Sequence, residues 1–126
     1  KIAIELNLCG ILAMESFISH TGDIIFNEIA PRPHNSFHWT IEGANCSQFE
    51  QLARIAGALP MKQITARGTW RMENLLGQHA QQIDGFLHND AIHTHIYGKQ
   101  DYRSGRKIGH ITYPLLDSSD KSYKVS

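Results

Sequence analysis

The sequence predicts an α+β fold in two parts, and three observations carry that expectation. Two apolar runs, Gly10–Ser19 "GILAMESFIS" and Ile24–Ala30 "IIFNEIA", flank a Gly-containing turn and read as an antiparallel hairpin. "NCSQFEQLARIAGALP" has helix signals at both ends. Beyond Pro60 the texture changes to short strand-like runs with short helices between them. We place the first part at residues 1–60 and the second, a small β-rich part, at residues 61–126.

Each element has a local reason. "KIAIELNLCG" reads as the tail of an amphipathic helix ending at Gly10. In the hairpin, the period of two puts Ala13, Glu15 and Phe17 on one face of the first strand. It puts Phe26, Glu28 and Ala30 together on the second. Pro31 and Pro33 end that strand and stiffen its exit, so Arg32 between them loses little freedom on binding. Ser47 is the expected N-cap of the helix, with Glu50 completing a capping box. Phe49, Leu52, Ala53 and Ala56 form its apolar stripe, and Gly57 and Pro60 close it. "TWRMENLLG", "AIHTHIYGK" and "RKIGHITYPLL" are the later strands, the last two joined by the polar turn "QDYRSG".

The 126 residues make one domain or a piece of a larger protein. The absence of an initiator Met favours the piece. So do the helix-start residues Asp117, Ser118, Ser119 and Asp120, set before a segment too short to finish a helix. Formal net charge is zero, which argues against a broad surface for nucleic acid or membrane. No apolar run is long enough to span a bilayer and no secretory signal is visible, so the expected location is cytoplasmic. Cys9 and Cys46 lack metal-ligand spacing and read as buried free thiols.

The chemistry gathers in "IIFNEIAPRPHNSFHWT". Glu15 and Glu28 project the same way from adjacent strands, and buried carboxylates need partners. Either basic side chains pair with them, or both bind a divalent cation such as Mg²⁺, which takes oxygen ligands. Arg32 can grip a carboxylate, phosphate or bicarbonate through two parallel hydrogen bonds. His34 can move a proton near neutrality, and Asn35 and Ser36 add neutral donors. The competing reading is a polar turn satisfied by local backbone. Lys99, Arg103, Arg106 and Lys107 form a local basic cluster, with Gly98, Gly105 and Gly109 allowing close backbone approach. This is either a solvated hairpin loop or a phosphate site built on Lys99 and Arg106. His20, His79, His88, His93 and His95 lack convincing zinc spacing and read as structural.

The blocks "GILAMESF", "NEIAPRPHNSFHWT", "SQFEQLARIAGALP", "ENLLG" and "YGK…RSGRKIGHIT" resemble the 5-(carboxyamino)imidazole ribonucleotide synthases, ATP-grasp enzymes of purine synthesis. The resemblance runs from about Gly10 to Thr112. It implies the C-terminal part of an ATP-grasp domain, an antiparallel sheet with helices, followed by a small β-rich C-terminal domain. It implies a carbon–nitrogen ligase that uses ATP, Mg²⁺ and bicarbonate to form carboxyphosphate and then carboxylate 5-aminoimidazole ribonucleotide. By position, Glu15 and Glu28 correspond to Mg²⁺ ligands, with Asn27 and Glu28 beside the nucleotide phosphates. Arg32 and His34 correspond to the bicarbonate and carboxyphosphate centre, and Asn35 and Ser36 complete that loop. Lys99 and Arg106 correspond to the pair that holds the ribonucleotide phosphate. Homodimers are common in the family.

Three departures stand out. Phe37 occupies a usual Gly position, which bears on the pose of Ser36 and His38, and Glu73 replaces an apolar residue. The adenine pocket and the phosphate lysines are missing, so these residues alone are expected to be inactive. The alternatives are another carboxylating or formyl-transferring ATP-grasp ligase of purine synthesis, and a non-catalytic binding module.

Overall fold

A computed structural model describes residues 1–115; the helix start expected at Asp117–Asp120 lies outside the described residues. The chain forms a two-stranded antiparallel sheet and a three-stranded one, with short helices between them. No helix among the described residues is long and apolar enough to cross a membrane.

Helix α1 (Ile2–Glu5) is a single turn. It stops well before Gly10 because Asn7 takes a left-handed conformation (φ 47°), which Asn tolerates. Cys9 follows in an exposed segment, so the expected burial holds for Cys46 and fails for Cys9.

Strands β1 (Ala13–Ile18) and β2 (Ile24–Ala30) pair around a turn that organises itself. Ser19 Oγ accepts from the backbone N–H groups of Thr21 and Asp23, and Gly22 supplies the positive φ. Register sets Ala13 against Ala30 and Glu15 directly against Glu28. It then shifts: Ser16 pairs with Phe26, leaving Asn27 as a bulge. The bulge breaks the alternation that grouped Phe26 with Glu28. It also turns the Asn27 amide onto Glu15.

After Pro31–Pro33 the chain makes a 3₁₀ turn (Asn35–Phe37), then α2 (Thr40–Gly43) and α3 (Gln48–Ala56). Ser47 caps α3 by accepting from Glu50 N–H. The reciprocal half of the capping box is absent, because the Glu50 carboxylate instead takes Lys62 at 2.7 Å and Arg54 at 2.9 Å. Ala53 and Ala56 face solvent, and the inward side of α3 is Gln48, Gln51, Leu52 and Ile55. The left-handed residue that ends the helix is Ala58 (φ 52°), one beyond Gly57.

Strands β3 (Trp70–Leu76), β4 (His93–Ile96) and β5 (Lys107–Pro114) form the second sheet in the order β3-β5-β4. Leu75, Ile92, Ile108, Ile111 and Tyr113 make the core, with Ile83 and Phe86 from the segment around α4 (Ile83–Leu87) packed on it. Gly109 is needed for strand contact and not for a ligand: a Cβ there would lie 2.3 Å from the His95 carbonyl oxygen. Glu73, the unexpected acid, accepts from the Tyr113 hydroxyl. Burial, aided by that hydrogen bond to Glu73, pushes the Tyr113 phenol up to about 12.

The segment after β2 meets the three-stranded sheet through imidazoles. His95 Nε2 donates to Glu42 Oε1 at 2.7 Å and stacks on His110 at 4.5 Å between centroids. His38 packs on the other side of His110 at 5.0 Å, and Tyr97 shares a 2.8 Å hydrogen bond with His110 Nδ1. Burial, with His95 and His38 adding repulsion, pushes His110 down to about 4.

Ile111 is fully buried, so Ile111→Ala should cost about 2–5 kcal/mol in chemical denaturation of the full-length protein. His110 is neutral when folded but takes a proton near 6.5 when unfolded. Its contribution to stability is therefore complete above that pH and is lost as pH falls toward about 4. Melting temperature should drop less steeply across this window in His110→Gln than in wild type.

Candidate functional site

The end of the hairpin and the Pro31–Trp39 loop close on one another at Glu15, Glu28 and His34. Like charges directly opposite across an antiparallel pair repel. Here the buried His34 ring sits against both carboxylates. Its Nε2 lies 2.9 Å from Glu28 Oε1 and its Nδ1 lies 3.4 Å from Glu15 Oε1. The Ser36 N–H donates to Nδ1, which fixes the neutral tautomer with its proton on Nε2, donated to Glu28. One donor atom from each of the three residues falls within 4.8 Å of the others.

Glu15 is the more heavily held carboxylate. The Ser36 hydroxyl donates to Oε1 and the Asn27 amide to Oε2. The Ser36 hydrogen bond holds its carboxyl below the usual range, with lesser help from His34, Asn27 and Lys107. Glu28 stays about half exposed. Two carboxylates with neutral oxygen donors beside them suit a hard, oxygen-seeking cation, so the residues fit Mg²⁺.

The remaining expected residues divide. Arg32 is exposed, and among the described residues its guanidinium reaches only the neighbouring Pro33 carbonyl. Asn35 accepts from Lys107 Nζ at 3.2 Å, so the C-terminal sheet touches this loop through Lys107. Lys99 is exposed, and Arg106 is paired with Asp101 inside its own loop. Phe37 is outside the left-handed region, so a side chain is admitted without backbone strain. It lines an apolar cavity of about 270 Å³ together with Ile11, Leu12, Cys46 and Ile64. Ser36 and His38 keep their hydrogen bonds beside it. The histidines read as structural have local roles: His79 accepts from Leu76 N–H, and His93 packs on Trp70.

Sequence reasoning missed Gln48 and Lys107 as parts of this site. Gln48 Oε1 accepts from His34 N–H at 2.8 Å, and its Nε2 donates to the His34 carbonyl at 2.9 Å and to His38 Nδ1 at 2.8 Å. The sequence shows only a Gln at the first position of a capped helix; that it is buried, and so must find partners, is visible in the structure alone.

Residues 1–49 match the ATP-grasp domain, and residues 71–122 match the phosphoribosylaminoimidazole carboxylase C-terminal domain. The chain is thus an ATP-grasp segment joined to that C-terminal domain. It belongs to the N5-carboxyaminoimidazole ribonucleotide synthase family, of whose members it spans about a third. It is 44% identical to the Bacillus subtilis synthase over 90% of this chain and 30% of that protein. The Staphylococcus aureus synthetase complexed with ADP superposes with TM-score 0.84 at 34% identity, covering 92% of this chain and 32% of that one. The Aspergillus clavatus synthase, solved with ADP and 5-aminoimidazole ribonucleotide, gives 0.78 at 34% identity over 86% of this chain and 31% of that one.

Ser36→Ala removes the largest influence on Glu15. In metal-free full-length protein, the Glu15 side-chain carbon followed by NMR should then titrate at higher pH than in wild type. An unchanged midpoint would show that Ser36 does not set the charge of this centre.

Proposed function

We propose that the protein containing this chain carboxylates 5-aminoimidazole ribonucleotide, using ATP and bicarbonate by way of carboxyphosphate, in the synthesis of purine nucleotides in the cytoplasm. The observation that carries the reading is the convergence of Glu15, Glu28 and His34, in a loop whose exposed Arg32 has no carboxylate partner among the described residues. That is an anion-binding, proton-moving centre next to an oxygen-donor pair. The naming of the family relatives supports the same acceptor.

Glu15 and Glu28 would hold Mg²⁺, which supplies charge neutralisation for phosphoryl transfer. Asn27 steadies Glu15 and offers an amide toward the nucleotide phosphates. Arg32, pre-extended by its flanking prolines, binds the bicarbonate and carboxyphosphate oxygens in two-pronged fashion. His34 accepts the proton released when the exocyclic amine attacks, at the Nδ1 that now accepts from Ser36 N–H. Asn35 and Ser36 keep the loop in register, and Lys99 and Arg106 take the ribonucleotide phosphate. The residues present here are inactive by themselves. A two-stranded hairpin that leaves Phe17, Ile18, Ile24 and Phe26 largely exposed needs cover before it can close on a nucleotide. The working form is a homodimer, as the resemblance implies.

The test is ATP hydrolysis by the full-length protein with Mg²⁺ and bicarbonate, with and without 5-aminoimidazole ribonucleotide. Stimulation by that ribonucleotide is expected. Glu28→Ala should lower it by about 10²-fold or more. Arg106→Ala should raise the KM for the ribonucleotide while sparing that for ATP. Stimulation by glycinamide ribonucleotide alone would leave an ATP-grasp ligase with a different acceptor. No stimulation at all would favour a binding module.

A further inference from the structure

His34 can work only if its ring stays between Glu15 and Glu28, yet its backbone belongs to no strand or helix. It follows Pro33 in extended conformation (φ −118°, ψ 146°). A buried N–H and C=O in such a place must find partners. The Gln48 side-chain amide accepts from the N–H and, together with the Phe37 backbone N–H, donates to the C=O, much as a neighbouring strand would. Only one amide orientation works, because the flipped one would set the NH₂ group against the His34 N–H. The second Nε2 hydrogen goes to His38 Nδ1, so every polar group of Gln48 is used.

Gln48 is itself immobile. It is 8% exposed and begins α3, and its own N–H donates to Thr40 Oγ1, whose hydroxyl donates to the Phe37 carbonyl. His38 is wedged between Phe49 and His110, with the edge of Tyr97 beside it. Burial, then the nearby His95, His34 and Lys107, keep His38 low in pKa and therefore able to accept.

We propose that Gln48 is the positioning residue of the site: it holds the His34 backbone at both ends and, through His38, braces it against His110 of the C-terminal sheet. The effect on turnover rests on the function proposed above; the geometric part does not.

The experiment uses the full-length protein with Gln48→Leu, Gln48→Glu and His38→Phe. Hydrogen exchange at the His34 backbone amide is read against the Ile111 amide in β5. Gln48→Leu should speed exchange at His34 about tenfold, the weight of one lost hydrogen bond, and leave Ile111 unchanged. Its kcat should fall about ten- to a hundredfold with the KM for ATP within about twofold, as expected when a reacting group is displaced. Gln48→Glu keeps the acceptor for the His34 N–H but loses both donors. It should protect His34 and turn over at an intermediate rate. His38→Phe should loosen His34 less than Gln48→Leu does.

Unchanged exchange at His34 in Gln48→Leu would overturn the proposal. So would equal loosening at His34 and Ile111, which marks a general structural role. If Gln48→Leu does not fold, Gln48→Glu and His38→Phe decide: wild-type kcat in both overturns it. A wild type without ribonucleotide-stimulated turnover would remove the proposed function, while the exchange data still decide the role of Gln48.

Discussion

Two glutamates facing each other across a hairpin are the constraint from which the rest of this site follows. Antiparallel register puts Glu15 and Glu28 side by side, and their repulsion has to be met. It is met by donors on each side: a ring from the loop immediately after β2 donates to Glu28, and Ser36 of the same loop donates to Glu15. That ring can reach both carboxylates only because Pro31 and Pro33 prevent the chain from coiling away at the end of the strand. The bulge at Asn27 belongs to the same solution, since it brings a neutral amide onto Glu15. Strand, bulge, prolines and histidine therefore solve one electrostatic problem together.

The loop is braced from its far side as well. Lys107 reaches Asn35, His95 reaches Glu42, and His110 backs His38. Each of these contacts joins the ATP-grasp segment to the C-terminal sheet. Three imidazoles in van der Waals contact would repel strongly if charged. The arrangement holds because burial keeps His38 and His110 neutral, and because His95 has the Glu42 carboxylate to itself. The C-terminal sheet is thus part of the scaffold of the loop, and its histidines transmit position through packing and hydrogen bonds.

Much of this could be read from the chain. Strand and helix positions followed from period and punctuation, and the pairing of Glu15 with Glu28 followed from the short turn between the strands. The misses have physical causes. The face of Phe26 was misassigned because a bulge leaves no mark in a period-two pattern. Gly57 closes α3 as expected, while the left-handed conformation that follows, on Ala58, has no mark in the sequence. Gly109 looked like a ligand contact because a sequence shows that backbone must approach something, not what. Gln48 escaped notice because an amide in a helix pattern looks like surface polarity until the His34 N–H is placed beside it. Interactions between residues far apart in sequence, such as Glu42 with His95, leave no local signal at all.

The charges that hold the loop and the charges left over for a ligand are separated by burial. His34, Gln48 and His110 are buried, and each is hydrogen-bonded to a neighbour through at least one ring or amide atom. Arg32 is exposed, and among the described residues it has no carboxylate partner. Its fork is therefore available to an anion at no cost in existing ion pairs. Arg106 starts from a different state, paired with Asp101. To grip a phosphate it would have to exchange that carboxylate for a ligand. An exposed pair of this kind is worth only about 0–1 kcal/mol, so little holds Arg106 back from exchanging partners. Arg106 gains from the pairing in the meantime, since Asp101 keeps the guanidinium oriented while the site is empty. The basic loop thus satisfies Arg106 internally through a pair weak enough to be exchanged.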